Sequence, residues 1–158
     1  MRNIKQLGLI LSISVNAGAF AASSGTLLLQ GVVAATYNIS VATDGANNVS
    51  LNILGGGSNQ SVANVTETAN NAGGYKIQAS SVNNGLLKNG SIDSLAYTLK
   101  YGAGSPVSLT TSAQTVYTSP TLSSAVTNIQ NVKVSHTAKP TALAGTFSDT
   151  VTLSISAP

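Results

Sequence analysis

The sequence predicts an all-β protein built as a β-sandwich. Charged residues are only 7% of the 158 residues, while Ser, Thr, Asn, Gly, Val and Ile are abundant, a composition that favours strands. Several short runs alternate apolar and polar residues, which puts successive side chains on opposite faces of a strand. Turn-forming pairs such as Gly73-Gly74 and Asn89-Gly90 separate these runs. Many short strands at this spacing are typical of a sandwich.

Residues 1–21 are predicted to be a secretory signal peptide. The start is positively charged, Leu7–Val15 is a short apolar run, and Ala19-Phe20-Ala21 supplies small residues for cleavage. This run is too short to span a bilayer. Cleavage leaves residues 22–158 as one domain with nearly balanced charge. No basic patch remains, so nucleic acid is not an expected partner.

The first strand is predicted over Gly25–Val41, directly after the cleavage site. Leu27, Leu29 and Val33 share one face of it, and the opposite face carries the polar Gln30. The Leu27 face is therefore the better candidate for burial. Because chain ends fray unless something holds them, this apolar strand needs a groove, either in its own body or in another molecule.

Later strands are predicted from the same alternation. They are Val49–Leu54, Val62–Thr66, Tyr75–Ala79, Ser94–Tyr101, Val132–Val134 and Phe147–Ile155. Ser58–Asn71 is the least periodic segment, so we predict a loop there that contains only the short Val62–Thr66 strand. No amphipathic helix is expected after the signal peptide.

The sequence does not predict an enzyme, a metal site or a cofactor site. Catalysis needs a cluster of proton carriers, nucleophiles or metal ligands, but the chain has one His, four acids and no Cys. His136 is predicted to be an exposed residue at a strand end; a hydrolase would need a polar cleft around it. Asp93 and Asp149 are isolated, and hydrogen bonds at turns or strand starts explain them.

Five tyrosines raise the alternative of a carbohydrate-binding module. Tyr75, Tyr97 and Tyr101 are in phase with aliphatic residues, however, so we predict that they pack in the core with their hydroxyls reaching the surface.

Both ends of the chain resemble one family. Gly25-Thr26, Gly31, Val33 and Ala35 match G-T-x-x-x-x-G-x-V-x-A, which resembles the N-terminus of chaperone–usher pilus subunits. Ala144–Ile155 resembles the closing strand of spore-coat-protein-U-like and archaic chaperone–usher subunits, whose pattern begins A-G-T-[YF]-x-D-T.

The resemblance implies an immunoglobulin-like sandwich, residues 34–158, that lacks its last strand and is completed by donor-strand exchange. The implied donor strand lies within residues 22–33 and uses Gly25, Leu27, Leu29, Gly31 and Val33. The implied groove and closing strand comprise Phe147, Val151, Leu153 and Ile155. A periplasmic chaperone fills the gap before the N-terminal strand of the next subunit replaces it.

The implied function is that of a structural subunit of a bacterial surface fimbria. Its implied partners are copies of itself or other fimbrial subunits, a periplasmic chaperone and an outer-membrane usher. The chain would be secreted, passing through the periplasm to the cell surface. The alternative, a secreted carbohydrate-binding or adhesive module, has a host or surface glycan as its partner. A monomer that fills its own groove also stays open.

Overall fold

The computed structural model describes residues 24–43 and 50–158; the predicted signal peptide lies outside these residues. The chain divides into two units, residues 1–32 and 33–158. The second unit contains all the strands that the structure describes. They are β1 (Tyr37–Thr43), β2 (Gly57–Ala69), β3 (Lys76–Ser81), β4 (Leu86–Asn89), β5 (Asp93–Tyr101), β6 (Gln114–Thr118), β7 (Val126–His136) and β8 (Val151–Ser156).

The described strands form a β-sandwich of two antiparallel sheets. One sheet has five strands in the order β1-β2-β7-β5-β4, and the other has three in the order β6-β3-β8. This confirms the predicted all-β class. None of the described residues belongs to a helix that is long and apolar enough to cross a membrane.

The loop predicted over Ser58–Asn71 is wrong except for the short strand at Val62–Thr66 that it was predicted to contain, because β2 is a 13-residue strand in the five-stranded sheet. It pairs with β1 on one side and with β7 on the other. Its inward face carries the buried Ala63, Val65, Glu67 and Ala69. Two small residues and a carboxylate on that face hide the apolar alternation from which strands are predicted.

Two other strand predictions are wrong over most of their length. Residues 24–36 have no regular secondary structure, so only the part of Gly25–Val41 from Tyr37 onward is a strand. Residues 50–56 form no strand, and Val49 lies outside the described residues. There Asn52 accepts the backbone N–H of Gly55 on its side chain at 2.9 Å and that of Gly56 on its carbonyl at 2.8 Å, which makes a turn.

The other predicted strands correspond to β3, β5, β7 and β8, although β7 is much longer than predicted and β8 begins only at Val151. The short β4 and β6 were not predicted.

A buried carboxylate lies at the centre of the core. Glu67 is fully buried, and its two oxygens accept the hydroxyls of Tyr75, at 2.6 Å, and of Tyr101. Asn128 donates in turn to the Tyr75 hydroxyl at 3.0 Å. Burial and the hydrogen bond to Glu67 raise the pKa of both tyrosines well above the ordinary value. This cluster ties β2, β5 and β7 to Tyr75, the residue before β3.

Candidate functional site at the free edge of β8

β8 is hydrogen-bonded to another strand on one side only. It pairs with β3 from Lys76↔Ser156 to Ser81↔Val151, and no other described strand pairs with it. Its inward side chains, Val151, Leu153 and Ile155, are only half-buried. An apolar side chain at a free sheet edge lacks the neighbour that an adjoining strand would provide.

β1 is the matching edge of the other sheet. Antiparallel partners share a face, so the register places Tyr37, Ile39 and Val41 on the inward face, opposite Ala69, Glu67 and Val65. Tyr37 and Ile39 are half-buried, whereas Val41 is 50% exposed. Cα atoms of β1 and β8 approach within 8 Å of each other, yet the two strands are not paired. This is closer than the roughly 10 Å between two strands that flank a third, so a strand added between them requires the two edges to move apart.

We call the space between these two edges the β1–β8 groove. It is bounded by the inward side chains of the two strands, namely Tyr37, Ile39, Val41, Val151, Leu153 and Ile155. Both walls are therefore sheet edges without a strand partner on the groove side, and both offer apolar side chains at a spacing of two residues. This is the chemistry that binds an added β-strand. The β1 wall was not among the predicted site residues, although the alternation of Tyr37, Ile39 and Val41 could have indicated it.

Asp149 fixes the start of β8. Its Oδ2 accepts the hydroxyls of Ser81, at 2.5 Å, and of Tyr97, at 2.6 Å. Its Oδ1 accepts the backbone N–H groups of Asn83, at 3.0 Å, and of Thr150, at 2.8 Å. Burial and the hydrogen bond to Asp149 raise the pKa of Tyr97 well above its ordinary value. The predicted role of Asp149, hydrogen bonding at a strand start, is confirmed.

Gly145 and Asn89 fix the segment that leads to β8. Asn89 donates from its side chain to the carbonyls of Leu143, at 3.3 Å, and of Ala144, at 3.1 Å. Gly145 has a φ of 145°, and a Cβ there would collide with the Asn89 carboxamide. In this structure the glycine and aspartate of the A-G-T-[YF]-x-D-T pattern therefore serve to position β8.

Phe147 does not belong to β8, contrary to the strand predicted over Phe147–Ile155. It is half-buried against the core and lines a separate apolar cavity of about 330 Å³. Ile53, Leu54 and Leu143 also line this cavity, and Leu54 and Leu143 are more than half exposed.

Asp93 holds the loop that forms this cavity. It accepts the Lys139 ammonium and, at 3.0 Å, the backbone N–H of Leu143. These two contacts hold the pKa of the Asp93 carboxyl below its usual range. The expectation that hydrogen bonding explains Asp93 is therefore confirmed.

The predicted donor residues belong to a different part of the chain. Leu27 is 82% exposed and Leu29 is 83% exposed, and Gly25, Gly31 and Val33 are exposed as well. A run with this many exposed large apolar side chains is unusual in a soluble protein. The neighbouring Leu28 and Val32, on the alternate positions, are equally exposed.

His136 is buried, so the prediction of an exposed strand-end histidine is wrong. The residue is 8% exposed, and its Nδ1 lies 3.1 Å from the carbonyl oxygen of Thr137. Because a carbonyl oxygen can only accept a hydrogen bond, Nδ1 carries the proton in this contact. The other ring nitrogen, Nε2, is buried and has no hydrogen-bond partner. Gly57, which begins β2, packs against this edge of the ring.

A cavity of about 420 Å³ lies beside His136, and Ser58, Thr98, Ser108 and Ser135 are among the residues that line it. None of its lining residues is a carboxylate that could orient the imidazole. The Ser135 hydroxyl already accepts the backbone N–H of Asn59 at 2.8 Å.

The three tyrosines predicted to pack in the core do so. Tyr75, Tyr97 and Tyr101 are all buried. Their hydroxyls do not reach the surface as predicted, however; they donate to Glu67 or Asp149 inside the sandwich. These rings therefore provide no exposed stacking surface for a sugar.

Among the described residues, no three His, Asp or Glu side chains come together as a group that could hold a metal ion. Comparisons of the chain with protein-family models, with curated proteins and with solved structures found no match.

Proposed function

We propose that this chain is a structural subunit of a bacterial surface fibre that polymerises by strand insertion. The segment of residues 22–33 of one copy would occupy the β1–β8 groove of the next. The observation that carries the proposal is the unpaired edge of β8 beside inward side chains that the sandwich itself does not cover.

The groove and the segment match in length and in pattern. β8 has six residues, which span about 20 Å at about 3.3 Å per residue. Gly25–Val33 would span about 30 Å when extended, so it is long enough to pair along the whole edge. Leu27, Leu29 and Val33 then point into the groove while the alternate side chains point out.

The energetics favour insertion of the segment into the groove. Each leucine that is moved from water into the groove contributes about 1.5–3 kcal/mol, and backbone hydrogen bonds along β8 add to this. Since the segment and the groove are different surfaces, the contact is head-to-tail and propagates into a fibre. An unfilled groove of this kind is an aggregation hazard, which supports a requirement for a chaperone before assembly.

The test is polymer formation by the mature chain, measured by sedimentation. We expect polymers from the wild type and none from the double variant Leu27→Asp, Leu29→Asp, because each aspartate would place an unpaired charge in an apolar groove.

Leu28→Asp is the matched control. Leu28 has the same chemistry and the same exposure as Leu27, but it lies on the opposite face of an extended strand. This variant is expected to polymerise. Polymers that persist in the double variant, or that are lost equally in Leu28→Asp, would contradict insertion through the predicted face.

A further inference from the structure

Asn70 holds the chain where it enters β1. Its side-chain Oδ1 accepts the backbone N–H of Thr36 at 2.6 Å, and its Nδ2 donates to the carbonyl of Ala34 at 2.9 Å. Its own backbone N–H donates to the carbonyl of Thr36 at 3.3 Å. One residue thus makes three hydrogen bonds to a segment that has no regular secondary structure and is exposed.

These contacts extend the β1–β2 ladder beyond its last pair. Tyr37 is opposite Ala69 in the register, so Thr36 and Asn70 are the next opposed residues. The amide side chain of Asn70 acts as a further piece of strand, because it offers the acceptor and the donor that a backbone would offer. Residues 34–36 are therefore held in line with β1 as they leave the body.

This direction bears on which groove the preceding segment reaches. The β1–β8 groove runs alongside β1, so a segment that enters the groove of its own copy has to reverse its direction before β1. A reversal at residues 34–36 would break the hydrogen bonds from the Asn70 side chain to Thr36 and Ala34, so these bonds restrict where the chain can turn. Insertion into a second copy needs no such reversal.

We propose that Asn70 is a positioning residue that favours insertion between copies over insertion into the same copy. The proposal rests on the strand-insertion function above and adds to it a device that selects a second copy of this chain as the partner. Asn70 itself need not touch the inserted strand.

The first measurement tests the hydrogen bonds from the Asn70 side chain to Thr36 and Ala34, which we call the Asn70 clamp. We compare hydrogen exchange of the Thr36 amide in the full mature chain carrying Leu27→Asp and Leu29→Asp, which keeps it from polymerising, with and without Asn70→Ala. Loss of the acceptor is expected to speed exchange about fivefold or more, the factor that corresponds to one typical net hydrogen bond. Asn71→Ala is the matched control, because the Asn71 side chain accepts only the nearby Gly73 N–H, at 2.8 Å, among the contacts described.

The second measurement addresses partner choice, in a chain with an unaltered donor segment. Asn70→Ala is expected to lower the polymer yield about fivefold and to produce monomers that no longer bind an added peptide of residues 22–33. Asn70→Asp keeps the acceptor for Thr36 but loses the donor to Ala34, so its polymer yield is expected to lie between those of the wild type and Asn70→Ala. The polymer also loses the two side-chain hydrogen bonds of Asn70, so its thermal midpoint is expected to fall. Folded monomers that refuse the added peptide are the readout that a merely structural loss would not produce.

Equal Thr36 exchange in Asn70→Ala and in its parent would overturn the clamp. Equal polymer yields in Asn70→Ala, Asn71→Ala and the wild type would overturn its role in partner choice. A wild-type chain that forms no polymer would refute the proposed function, and the Thr36 exchange would still decide for or against the clamp.

Discussion

β3 and β8 are neighbouring six-residue strands with the same alternation, yet their burial differs. β3 lies between β6 and β8, and its inward Ile77 is 0% exposed. β8 has a partner on one side only, and its inward Leu153 and Ile155 remain half-buried.

The difference teaches that the core is closed around β3 and open to water along the free edge of β8. At the centre, both oxygens of the buried Glu67 have tyrosine partners. Half-buried apolar side chains also occur elsewhere, at Val116 and Tyr117 of β6 and at Phe147. Along β8, an added strand would cover Leu153 and Ile155.

The largest expected effect comes from comparing two alanine substitutions, one on the inward face of β3 and one on the inward face of β8. Ile77→Ala should cost about 2–5 kcal/mol of unfolding free energy, the range for a buried aliphatic side chain, whether or not the groove is filled. Leu153→Ala should cost only about 1 kcal/mol in the open monomer, because the side chain is half in water, and should approach the range of Ile77→Ala once a donor peptide is bound. Urea unfolding with and without the peptide measures both.

Equal losses of unfolding free energy in Ile77→Ala and Leu153→Ala without peptide would contradict the difference in burial between the two strands. So would a cost for Leu153→Ala that is the same with and without peptide, since the groove would then already be closed or would not be where the strand inserts.

The sequence predicted the complete strands best where their inward residues are large and apolar. β5 was found because Leu95, Tyr97, Leu99 and Tyr101 alternate without exception. β2 was predicted only over Val62–Thr66, because its inward face includes Glu67, whose burial depends on Tyr75, just before β3, and on Tyr101 of β5. A local sequence pattern cannot predict a hydrogen-bonding partner that only the fold brings close.

The candidate site was predicted in part, for the same reason. Val151, Leu153 and Ile155 were visible as an alternating run, and the structure places them at a free edge. That the edge is free depends on sheet order, which the run itself does not encode. The Asn70 clamp was not predicted either, since it joins residues 34 positions apart.

A smaller effect is the loss of stability at alkaline pH, which should arise in the core and not depend on whether the groove is filled. The pKa values of Tyr75 and Tyr101 are raised by burial and by Glu67, and that of Tyr97 by burial and by Asp149. Their contribution to stability is therefore fully present below the ordinary tyrosine pKa of about 10 and is lost as pH rises toward the folded-state values. We expect the urea midpoint to fall between pH 9 and pH 11, equally with and without donor peptide, because the cluster lies outside the groove.

Tyr101→Phe should lower stability at pH 8 but make the fall between pH 9 and pH 11 shallower. Tyr117→Phe is the matched control, because its ring packs near Tyr75 and Tyr101, with centroids 6.0 and 6.1 Å away, while its hydroxyl is not one of the two on Glu67. An unchanged pH dependence in Tyr101→Phe would contradict the assignment to this cluster.

The measurement that tests the account most directly is hydrogen exchange along β8. The recipient is the mature chain carrying Leu27→Asp and Leu29→Asp, and the probe is a peptide of residues 22–33. In an antiparallel edge strand, alternate N–H groups face away from the partner. We predict that about half of the β8 amides exchange quickly in the recipient alone and become protected when the wild-type peptide binds, whereas a peptide with both aspartates protects none. Amides of β8 that are all protected without peptide, or that the wild-type peptide leaves unprotected, would contradict the account.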